Sequence, residues 1–81
     1  MKELHYTILL QRVPQGFVVW VPCLPGCMTQ GATYEEALQM AKEVIPLWIE
    51  TLMEEGEEVP EENPDDFTIV KIEVEAPIPV A

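Results

Sequence analysis

Few side chains in this sequence have the type and spacing that chemistry requires. Cys23 and Cys27 flank a Leu24-Pro25-Gly26 turn, and His5 is the single histidine. A structural zinc site needs four such ligands, so these are half a set at best. Both thiols read as buried or half-buried side chains, and a reducing compartment disfavours a structural disulfide that the Cys-x-x-x-Cys spacing does not forbid. The 15 carboxylates are numerous but poorly placed. Two-metal phosphodiester chemistry needs carboxylates converging on a sheet, whereas none lies between Leu4 and Gln11, and eight of the thirteen residues from Glu54 to Asp66 are acidic and loop-like. No catalytic residue, metal ligand or cofactor is therefore assigned. Trp20 could stack on a nucleobase, but a single-stranded nucleic-acid platform needs Lys or Arg around its aromatics, and only Arg12 is expected near it.

The elements that would hold these residues follow from periodicity. Leu4 to Gln11 alternates with period two and predicts a strand, Val13-Pro14-Gln15-Gly16 supplies a turn, and Phe17 to Val21 predicts the second strand of a hairpin. A four-residue connection places Arg12 opposite Phe17, Leu10 opposite Val19, Leu9 opposite Trp20, Gln11 opposite Val18 and Ile8 opposite Val21. One face (Tyr6, Ile8, Leu10, Phe17, Val19, Val21) is then continuous enough to take a helix. On the other, Leu9, Val18 and Trp20 stand among His5, Thr7 and Gln11, the mixed character of a surface meant for another chain, and these three are the candidate self-association residues.

Pro22 ends the ladder, and Leu24-Pro25-Gly26 has the type II turn pattern, with proline second and glycine third. Cys27 to Gln30 predicts a short third strand closed by Gly31. Thr33 and Glu36 form a Thr-x-x-Glu capping box that starts a helix at Tyr34. Its apolar positions recur at three and four as far as Leu52, over about five turns. Pro46 falls on the polar side and predicts a kink rather than two helices. Leu47, Trp48 and Met53 could reach a neighbouring subunit past that bend. Gly56 is the expected C-terminal cap, Glu54 to Asp66 a solvated connection or an acidic patch for a basic partner, and Phe67 to Glu75 a fourth strand. Residues 1–75 form one expected domain, and Ala76 to Ala81 an extended tail.

Eighty-one residues bury a small core that self-association, as a dimer or tetramer, would reinforce. Four Lys and Arg against 15 Asp and Glu give a net charge of −11, which opposes binding to nucleic acid or anionic membranes and complements a basic partner. No apolar run reaches the roughly 20 residues of a membrane helix, and the N-terminus lacks signal-peptide order, so the expected location is the cytoplasm.

The sequence Pro22, Leu24, Pro25, Gly26, Cys27, then Thr29, Gln30, Gly31, then Thr33, Glu35, Glu36, Ala37 resembles the HicB-like antitoxin family, with similarity from about Tyr6 to Pro60. The resemblance implies a single α+β domain of order β-β-β-α-β, a partial ribonuclease H-like sheet covered on one face by one helix. In that fold the fourth strand lies parallel beside the first, in accord with the right-handed crossover rule. It also implies binding and masking of a small basic HicA-type mRNA-cleaving toxin, with self-association through the sheet. Two departures stand out. Cys23 occupies a position where an acidic or other polar residue is usual, and after Val74 only seven residues remain where many members carry a DNA-binding segment. No direct nucleic-acid contact is therefore expected. The alternative expectation is a stand-alone oligomeric domain that binds another protein or a small ligand.

Overall fold

The computed structural model describes residues 2–78, and the last part of the expected tail, from 79 to 81, lies outside the described residues. Three antiparallel strands, β1 (Leu9–Val13), β2 (Gly16–Trp20) and β3 (Met28–Gly31), form a sheet in the order β1-β2-β3, and α1 (Tyr34–Glu54) follows. Leu9 pairs with Trp20, Leu10 with Val19, Gln11 with Val18 and Arg12 with Phe17, the register that the turn chemistry predicts. The ladder begins at Leu9, so Leu4 to Ile8 of the expected first strand stand outside it and Ile8 does not pair with Val21, whose amide points to the β3 side and donates to the Cys27 carbonyl at 3.1 Å. Ile8 still packs into the core without a ladder partner.

The turn between β2 and β3 has the expected form. Cys27 N–H donates to the Leu24 carbonyl at 2.9 Å, and Gly26 has φ +87°, the left-handed value that position three of a type II turn demands. Gly31 is needed for a different reason: a Cβ there would meet the backbone of Ala37 and the Glu36 carbonyl carbon, so the first turn of α1 rests directly on the β3 backbone. Thr33 caps α1, its hydroxyl accepting from Glu36 N–H at 3.1 Å, while Glu36 reaches back to Ala32 N–H at 3.3 Å, one residue before the reciprocal partner of a standard capping box. At the other end Glu57 N–H donates to Leu52 O and Gly56 N–H to Met53 O, the paired bonds of a Schellman cap, with Gly56 at φ +73°. One uninterrupted helix spans Pro46, whose ring is exposed.

The core has two adjoining clusters. Val19, Ala37 and Ala41 are buried and surrounded by Leu10, Phe17 and Ile45; small alanines on α1 let the helix approach β2 and β3 closely. Val21, Leu24 and Cys27 form the second, against Tyr6, Val44, Trp48 and Leu52. Val19 and Leu24, at 0% and 1% exposure, contribute about 1.5–3 kcal/mol each by burial. Phe17 stacks edge-on against Tyr34, with ring centroids 6.1 Å apart.

The expected fourth strand is not formed within this chain. Phe67 to Glu75 joins no ladder, and Ile69, Val70, Ile72 and Val74 are 67–78% exposed. Glu62 accepts from Thr7 N–H at 2.7 Å and from the Thr7 hydroxyl, Tyr6 donates its hydroxyl to Pro60 O at 2.6 Å, and Lys2 pairs with Glu61 at 2.7 Å. The acidic connection thus runs against residues 2–7, just N-terminal to β1, where a solvated loop is expected. The parallel β1 to β4 pairing implied by the resemblance is absent from the described residues.

Candidate partner-binding surfaces

Side chains of β-strands alternate between faces, so the register decides what the uncovered side of the sheet presents. Leu9 pairs with Trp20 and Trp20 with Met28, which makes an apolar row across all three strands; Gln11, Val18 and Gln30 form the next row. Leu9, Trp20 and Met28 are 39%, 42% and 47% exposed, and Val18 is half-buried. Leu9, Val18 and Trp20 therefore share one face and are neighbours on it. Met28 completes the row, a residue that sequence reasoning passed over because it paired β1 with β2 and left the β2 to β3 register unassigned.

Arg12 is not beside Trp20. It faces the helix side, with its guanidinium carbon 5.2 Å from the centre of the Phe17 ring. The uncovered face therefore carries no cation among the described strand residues, which removes the electrostatic half of a nucleic-acid platform.

A second surface lies at the C-terminal end of α1. Leu24, Pro25, Trp48, Leu52 and Pro60 floor a groove of about 650 Å³ whose rim carries Glu55, Glu57 and Glu58. The turn passes close to Trp48, since a Cβ added at Gly26 would stand 3.4 Å from the indole ring. An aromatic floor beneath three carboxylates suits a cationic side chain, through ion pairing and the face of the ring. The acidic run carries this information in sequence, but its juxtaposition with Trp48 depends on the Schellman cap turning the chain back.

The family-motif residues hold the fold between these surfaces. Pro22 is half-buried, Leu24 and Cys27 are in the core, Pro25 and Gly26 are at the turn, Gly31 and Ala37 are in backbone contact, and Thr33 and Glu36 form the cap. Cys23 is half-buried and Cys27 buried, both as free thiols. Burial pushes the Cys27 thiol above its ordinary pKa; Cys23 is raised first by burial and then by Glu62 and Asp66. Tyr6 is raised by burial and by Cys23, Glu61 and Glu62. A neutral, protonated thiol is a poor nucleophile and a poor metal ligand. Among the described residues no three His, Cys, Asp or Glu side chains are grouped to hold a metal ion, and no helix is long and apolar enough to cross a membrane.

Comparison with known sequences adds a family. The model of a family described as a HicB-like antitoxin of bacterial toxin–antitoxin systems matches residues 6–78. A UPF0150 protein of Thermoplasma acidophilum is 42% identical over 67 residues, which is 82% of this chain and 97% of that protein. An uncharacterized 14.9 kDa protein from the rep-hol intergenic region of Haemophilus phage HP1 is 46% identical over 59 residues, 73% of this chain and 44% of the phage protein. Antitoxin HicB 1 of Photorhabdus laumondii is 34% identical over 77 residues, 91% of this chain and 50% of that antitoxin. The chain thus spans about half the length of the last two and nearly all of the first.

Proposed function

This chain belongs to the HicB-like antitoxin family, and from that premise we propose that it serves as the antitoxin of a toxin–antitoxin pair, binding and masking a small basic HicA-type toxin that cleaves mRNA. The family match over residues 6–78 carries the reading, and the charge supports it. A protein of net charge −11 repels RNA and attracts a basic RNA-binding enzyme, so it can occupy the surface where the toxin would hold its substrate. The rimmed groove of Trp48, Glu55, Glu57 and Glu58 is the part of the surface best suited to receive a toxin lysine or arginine. In this role the chain performs no catalysis and makes no direct contact with nucleic acid.

Self-association through Leu9, Val18, Trp20 and Met28 fits the same reading, since a dimer or tetramer would cover the apolar row and leave the carboxylates outward. Toxin and antitoxin are normally encoded side by side, so the test uses the product of the adjacent gene. Expressed alone it is expected to arrest growth, and co-expression with this chain is expected to restore growth and yield a complex that elutes together. An adjacent product that is harmless, or that stays toxic beside an equal amount of this chain, overturns the proposal in favour of an oligomeric domain with another protein or small-molecule partner.

A further inference from the structure

The chain holds both halves of a contact that it does not make with itself. One half is an arm. From Phe67 to Ile78 the backbone is extended, and Ile69, Val70, Ile72, Val74 and Ile78 are 67–88% exposed. Thr68, Val70, Ile72 and Val74 project to one side with period two, the pattern of a strand that has a buried face. The arm stretches the molecule: a compact chain of this length has a radius of gyration of about 12 Å, whereas this one has 16.1 Å and a long dimension of 55 Å.

The other half is a vacancy. β1 is an edge strand, with no ladder partner on its outer side among the described residues. N-terminal to it lies a mostly apolar trough of about 790 Å³ between Leu4 and Tyr6 on one side and Ile45, Ile49 and Met53 of α1 on the other, with Val59 and the charged Lys2 and Glu61 at its margin. Uncovered edges with apolar flanks are templates for strand addition.

A structured turn keeps the two halves apart. Asp66 N–H donates to Asn63 O at 3.1 Å, Asn63 N–H donates to the Asp66 carboxylate at 2.7 Å, and Asp65 has φ +71°. The bond from Thr7 to Glu62 anchors the chain just before that turn, so the arm leaves at a fixed point and runs clear of its own sheet. We propose that two copies exchange arms, the Phe67–Glu75 segment of each adding as a strand to the outer edge of β1 in the other, with Val70, Ile72 and Val74 facing the trough. Two-fold symmetry satisfies both arms and both edges at once, because the same pair of surfaces meets twice. Nine extended residues span about 30 Å, ample for a five-residue edge and its flank. This contact is separate from the open-face row and does not depend on the identity of any toxin. Two chains of charge −11 repel each other, so apolar burial must drive the exchange, and added salt must strengthen it.

The test mixes a copy with labelled Ile, Leu and Val methyls with an unlabelled copy and reads isotope-filtered contacts, together with sedimentation equilibrium. Contacts between copies are expected from the Ile72 and Val74 methyls to Tyr6 or Ile49. The V70D/I72D variant, altered only where side chains are exposed in the single chain, is expected to weaken self-association roughly tenfold or more. W20E is expected to leave those inter-copy contacts in place. Arm contacts found only within one copy, or self-association unchanged in V70D/I72D, would overturn the exchange. Loss of those contacts in W20E would assign association to the open face instead.

Discussion

At Gly31 the α1 backbone comes so close that any side chain must displace it, and a single methyl is the cleanest probe of how the helix is seated. G31A is expected to lower unfolding free energy by about 2–4 kcal/mol, read from urea titration, since the Ala37 and Glu36 backbone cannot yield as a side chain would. The thiols give a second expectation. Folding raises the pKa of Cys23 and Cys27, so each contributes stability that is fully present below the unfolded thiol pKa and is lost as pH rises through the folded value. Alkylation of the native protein is expected to show rate midpoints shifted above that of an unhindered thiol, with half-buried Cys23 reacting before buried Cys27. Equal rates, or midpoints below the ordinary value, would show that the loop is open in solution. The same residues limit chemical readings of the chain: His5, Cys23 and Cys27 never come together with a carboxylate as a ligand set among the described residues.

The elements were legible where local chemistry decides them. Pro-Gln between Val13 and Gly16 set the hairpin register, Pro25-Gly26 set the type II turn, and Thr33 and Gly56 bracket a helix that begins at the expected residue. What failed to read was long-range. Period two in Phe67 to Glu75 predicted a strand that does not form among the described residues, because a strand needs an edge to pair with and sequence periodicity supplies none. Likewise nothing local marked Glu62 as the partner of Thr7, 55 residues away. The open-face row was half legible: Leu9, Val18 and Trp20 followed from the hairpin, and Met28 needed the β2 to β3 register. Pro46 belongs to this scale too. It removes one helical hydrogen bond at an exposed position, so P46A is expected to stabilise the protein by about 1–3 kcal/mol in thermal or chemical unfolding, and no gain would mean that the surrounding packing already offsets the missing bond.

For the molecule as a whole, charge and shape set opposite salt dependences. Contacts between copies oppose like charges and are expected to tighten with salt, whereas contact with a basic toxin is expected to weaken. W20E puts a carboxylate in the middle of the open-face row and is expected to lower the sedimentation mass; an unchanged mass would remove that face from the assembly. An antitoxin abolishes the activity of the partner that it binds. Purified product of the adjacent gene should cleave single-stranded RNA, and titration with this chain should abolish cleavage at a fixed stoichiometry, with inhibition weakening as salt is raised. Undiminished cleavage at saturating amounts of the chain would contradict the antitoxin assignment.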